Sequence, residues 1–66
     1  MNASRLKLLR ESMGLSLRDL AAEMDGRVTA QAIGKYERGE MTPSAEVLEA
    51  LGMALKVSAR YLTGGR

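Results

Sequence analysis

The 66-residue sequence contains no cysteine and no histidine. Disulfides and zinc knuckles are therefore excluded as sources of stability. A Ser–His or Cys–His nucleophile pair cannot be built, nor can a metal site that uses histidine. Aromatic residues are almost missing: Tyr36 and Tyr61 are the only two. Proline occurs once, at Pro43. No apolar run approaches the roughly 18–20 residues needed to cross a bilayer, and no signal peptide is visible. The chain reads as cytoplasmic, with no metal and no cofactor.

What remains is an aliphatic, moderately charged chain in which 45% of the residues are hydrophobic. A domain this small buries only about 60% of its unfolded surface. Its stability must come from Leu, Met and Ala packing between helices. Ten basic residues against eight acidic ones give a net charge of +2. That balance suits an anionic partner without requiring one, so the arrangement of the charges has to decide.

Punctuation along the chain predicts five short helices. Residues 3–13 carry Leu6, Leu9, Arg10 and Met13 on one face, and Gly14 stops the segment. Ser16 followed by Asp19 has the capping-box spacing and opens a second helix over 17–24 with Leu17, Leu20, Ala21 and Met24 inward. Asp25-Gly26-Arg27 is turn chemistry. Thr29 then caps a third helix to 38, with Ala32, Ile33 and Tyr36 inward and Ala30, Gln31, Gly34, Lys35 and Arg38 outward. Gly39 ends it. Thr42, with Pro43 in the first turn, is expected to cap a fourth helix carrying Val47, Leu48, Leu51 and Leu55. Val57 and Ser58 open a fifth, containing Tyr61 and Leu62 and closed by Gly64-Gly65. The expected fold is an all-α, compact five-helix bundle forming one domain over 1–66. The double glycine at the end leaves room for a longer parent protein.

Two short helices joined by a polar turn, the second with a polar outer face, meet the geometric needs of a major-groove reader. Ala30 and Gly34 are small enough to let the helix backbone approach bases. Gln31 and Lys35, one turn apart, can hydrogen-bond base edges. The duller reading of that pair alone is an ordinary solvated helix face.

The wider pattern shifts the balance. The stretches Arg5-Leu6-Lys7-Leu8-Leu9-Arg10-Glu11, Gly14-Leu15-Ser16 and Asp19-Leu20-Ala21 are followed by Ile33-Gly34-Lys35-Tyr36-Glu37-Arg38-Gly39. Thr42-Pro43-Ser44 and Leu55-Lys56-Val57-Ser58-Ala59-Arg60-Tyr61-Leu62 complete the series. Taken in order, they resemble the lambda-repressor/Cro-like (Xre) family of helix-turn-helix regulators over nearly the whole chain. Single words such as Glu-Arg-Gly are weak; the ordered set is specific.

The resemblance implies a helix-turn-helix at about 16–38 and binding to double-stranded DNA, as a homodimer on a palindromic operator. It implies base contacts from Ala30, Gln31 and Lys35, and backbone contacts from Ser16, Thr29 and Arg38. It also implies an internal ion pair between Arg10 and Glu37, for which two separate surface charges are the alternative. The sequence departs from the family in several places, among them Arg60, which stands where an acidic residue is common and is assigned no role. Leu17 stands where a phosphate-binding Gln is common, the turn before α-helical residue 30 is two residues longer than usual, and Glu40 would repel a nearby phosphate. Transcriptional repression is the favoured function. The competing readings are an antitoxin or interaction module whose partner is a protein, and, least favoured, an enzyme.

Overall fold

The computed structural model describes residues 1–64, and the regular structure among them is entirely helical. Five helices follow one another: α1 (Ala3–Ser12), α2 (Leu17–Glu23), α3 (Ala30–Glu37), α4 (Ala45–Leu55) and α5 (Ala59–Leu62). This is the all-α, five-helix architecture expected from the punctuation. Gly65, expected to help close the last helix, lies outside the described residues.

None of these helices exceeds 11 residues. Helices that short are marginal in isolation, so their ends and their buried faces must hold them. Every N-terminus is capped by a side-chain oxygen. Asn2 accepts from the Arg5 amide at 3.0 Å, Ser16 from Asp19 at 3.0 Å, and Thr29 from Ala32 at 3.0 Å. Ser44 accepts from Val47 at 3.3 Å and Ser58 from Tyr61 at 3.2 Å. The Asp19 carboxylate also accepts from the Ser16 amide at 2.9 Å, completing a capping box. That bond from the Ser16 amide, and then the Ser16 hydroxyl, hold the Asp19 carboxyl below its ordinary range.

Three local expectations are corrected. The cap of α4 is Ser44 and not Thr42, because Pro43 is buried ahead of the helix instead of forming its first turn. Met13 is the C-cap of α1 and points to solvent, since the chain turns away at Gly14 with φ +71°. Gly34, placed outward by periodicity, is buried: the side chains of Leu17 and Arg38 lie across it.

The core draws on every helix. Leu6 comes from α1, Leu20 from α2, Ile33 and Tyr36 from α3, Leu51 and Leu55 from α4, and Leu62 from α5, with Met24 at the end of α2. Each fully buried Leu or Ile contributes about 1.5–3 kcal/mol relative to exposure. The start of α1 is tied to α5. The Asn2 amide donates to the Leu62 carbonyl at 2.8 Å, and Arg5 Nη1 donates to the Tyr61 carbonyl at 2.9 Å. The Arg5 guanidinium also sits 4.4 Å from the Tyr61 ring centre.

Helix α5 approaches α4 at Gly52. A Cβ there would lie 2.7 Å from the Val57 carbonyl oxygen and 3.3 Å from the Ala59 nitrogen, both backbone atoms. Gly52→Ala gains roughly 1 kcal/mol of helix propensity. Overpacking against backbone costs about 1–3 kcal/mol, so the net change is expected to be destabilising. Urea denaturation followed by circular dichroism checks this, and an unchanged or raised midpoint would show that the α4–α5 turn backs away freely.

Candidate nucleic-acid interface

Helix α2 packs on α3, and the segment between them sets their relation. Two successive residues there take left-handed conformations, Asp25 at φ +55° and Gly26 at φ +76°. Asp is one of the few non-glycine residues that visit this region readily. The reversal is closed by the Arg27 amide donating to the Met24 carbonyl at 3.1 Å. The extra length is thereby taken up as a local coil, while Leu20 and Met24 share one core with Ile33 and Tyr36.

The opposite side of α3 faces solvent. Leu17, Arg18, Ala30, Gln31, Lys35 and Arg38 line a shallow groove whose floor is Gly34. Gln31, Lys35 and Arg38 are exposed and Ala30 is half-buried. Four of the residues predicted to touch DNA, namely Ala30, Gln31, Lys35 and Arg38, are therefore together. Ser16 and Thr29 lie outside the groove, as the exposed caps of α2 and α3. Each of their hydroxyls accepts a backbone hydrogen bond in the cap, which leaves its own proton available to donate outward.

Arg18 was not singled out by its sequence position. It becomes interesting only because α2 packs so that its first turn borders α3, adding a third cation beside Lys35 and Arg38. The sole hint in the sequence is that it follows Leu17 in the first turn of α2.

Arg10 and Glu37 lie away from the groove and fix α3 from behind. Arg10 Nε donates to Glu37 Oε2 at 2.6 Å and Nη2 to Oε1 at 3.1 Å, a two-pronged contact. Nη1 donates to the Leu15 carbonyl at 2.7 Å. Only 11% of the Arg10 side chain and 5% of that of Glu37 is exposed. The hydrogen bond to Glu37 outweighs desolvation and raises the Arg10 pKa above its ordinary value. No buried side-chain nitrogen or oxygen among the described residues lacks a partner.

The end of α3 is closed by Gly39 at φ +75°. The Glu40 amide donates to the Lys35 carbonyl at 2.9 Å and the Gly39 amide to the Tyr36 carbonyl at 3.1 Å. Together these bonds form a Schellman closure. They turn Glu40 back toward Arg38, whose Nε reaches Glu40 Oε2 at 2.9 Å and whose Nη2 reaches Oε1 at 3.4 Å. The Arg38 hydrogen bond holds the Glu40 carboxyl below its ordinary range, and the same bond raises Arg38.

Among the described residues no cluster of carboxylates could hold a metal ion, and no helix is long and apolar enough to cross a membrane. A family model described as helix-turn-helix matches residues 6–62, which runs from the first buried leucine of α1 to the last one of α5. The chain belongs to the lambda-repressor/Cro-like helix-turn-helix family. Neither the curated proteins nor the solved structures yielded a match. Members of this family are DNA-binding regulators built on a helix-turn-helix. In this chain the longer turn lies between α2, which ends at Glu23, and α3, which begins at Ala30.

Proposed function

We propose that the protein is a sequence-specific transcriptional repressor that inserts α3 and its C-cap, residues 30–38, into the major groove. The observation that carries this reading is the groove beside α3: two hydrogen-bonding side chains, Gln31 and Lys35, stand over small residues with cations around them. Ala30 is assigned contact with base edges through its methyl group, which suits a thymine methyl. Ser16, Thr29 and Arg38 are assigned to the sugar-phosphate backbone, positioning the helix without reading sequence. Repression follows by occluding polymerase from the operator.

One recognition helix of eight residues and a net charge of +2 make a weak reader alone. Two copies on a palindrome supply the missing affinity. Leu8 and Tyr61, 66% and 43% exposed, border one apolar depression between α1 and α5 and provide area to bury between copies.

Selection from random duplexes tests the reading. The expected product is an inverted repeat with half-sites about 10–10.5 bp apart, or a multiple of that spacing. Binding at full affinity to one asymmetric half-site would contradict the dimer. Recovery of no preferred sequence would contradict sequence-specific reading.

A further inference from the structure

Arg38 borders the groove assigned to DNA, yet its guanidinium already holds an anion. The two Glu40 oxygens meet Nε and Nη2 at 2.9 and 3.4 Å, the two-pronged arrangement that a phosphate also offers to arginine. Nη1 rests over Gly34, 3.1 Å from where a Cβ would stand, so the guanidinium lies on the floor of the groove. Glu40 does not reach this place by chance orientation of a loose loop. Its amide is bonded to the Lys35 carbonyl, and the left-handed Gly39 before it turns the chain back. Lys35 adds a further, weaker attraction that keeps the carboxylate ionised. A fixed anion thus pairs with Arg38, and feels Lys35, beside the groove that Arg18, Lys35 and Arg38 line.

We propose that Glu40 is an affinity-determining residue: an intramolecular stand-in for phosphate, which DNA must displace from Arg38 before Arg38 can hold the backbone. This rests on the DNA-binding reading above and deepens it. Binding is then an exchange of one anion for another at Arg38 rather than the capture of a free cation. Because the exchanged anion is a phosphate in every duplex, Glu40 tempers affinity without altering which sequence is preferred.

The test compares the full chain with Glu40→Gln, Arg38→Ala and the double variant, by fluorescence anisotropy on the selected duplex and on a scrambled one. Both side chains are exposed, so circular dichroism should be unchanged throughout. Glu40→Gln is expected to tighten binding to both duplexes by about two- to five-fold, within the range of an exposed ion pair. It should also steepen the salt dependence by up to about one unit of slope. In the Arg38→Ala background the same substitution should give no gain. A gain of equal size without Arg38 overturns the proposal, since Glu40 would then act by repelling phosphate directly. Unchanged affinity of Glu40→Gln, with the wild type binding normally, also overturns it and leaves DNA binding standing. Absence of salt-sensitive binding by the wild type and every variant removes both readings together.

Discussion

Glu37→Ala is expected to lower the unfolding free energy by about 3–5 kcal/mol, the cost of leaving one partner of a buried pair alone. The Arg10 guanidinium would keep the Leu15 carbonyl and a distant Glu11 carboxylate at 3.9 Å but lose its two shortest charged contacts. A 66-residue chain has a total stability of only about 3–10 kcal/mol at the usual 0.05–0.15 kcal/mol per residue. Such a loss would leave a large unfolded fraction at room temperature. Arg10→Met combined with Glu37→Met should recover most of it, because an apolar replacement of both partners removes the stranded charge. Denaturant titration of the single and double variants decides the matter. If each single substitution costs less than 1 kcal/mol and the two effects add, the pair behaves as an exposed one and its assigned role is wrong.

Lys35→Ala carries the next largest effect, on recognition rather than on folding. A good base contact contributes about 1–3 kcal/mol of discrimination, whereas a phosphate contact strengthens binding to every duplex alike. Lys35→Ala should therefore weaken binding to the selected operator by that amount and leave scrambled DNA nearly unaffected. Gln31→Ala should behave in the same way. The distinction is made by measuring both affinities at one salt concentration. Equal losses on the two duplexes would reassign Lys35 to the phosphate backbone.

How much of this was legible beforehand follows from which interactions are local in sequence. The caps Ser16 and Thr29 act on residues three positions on, and both could be read directly. Thr42-Pro43-Ser44 offered two caps in a row. The choice of Ser44 depends on burying the Pro43 ring ahead of the helix, a tertiary fact. The same limit hid the cover over Gly34, which comes from Leu17 on another helix and from Arg38 one turn away. Residues two apart do not face each other on a helix, so Arg38 and Glu40 gave no sign of pairing. They meet because Gly39 leaves the helix in a left-handed conformation. The Arg10–Glu37 partners, 27 residues apart, were suggested only by family resemblance. Arg18 offered only its place in the first turn of α2 until that helix was set beside α3.

The outward face of α3 is sparsely furnished, and that has a consequence for how much information an operator can hold. Ala30 has no hydrogen-bonding side chain and Gly34 has no side chain. On the proposed reading, Gln31 and Lys35 each specify one base pair by hydrogen bonding, which makes four in a two-copy complex, and Ala30 adds only its methyl contact to thymine. Four specified pairs recur by chance on the order of every few hundred base pairs, against the roughly 10⁶–10⁹ competing sites of a genome. The rest of the address must then be written in geometry: the separation of the half-sites and the stiffness of the DNA between them. A regulator built this way tolerates a changed letter within its half-site better than an inserted base pair between the two.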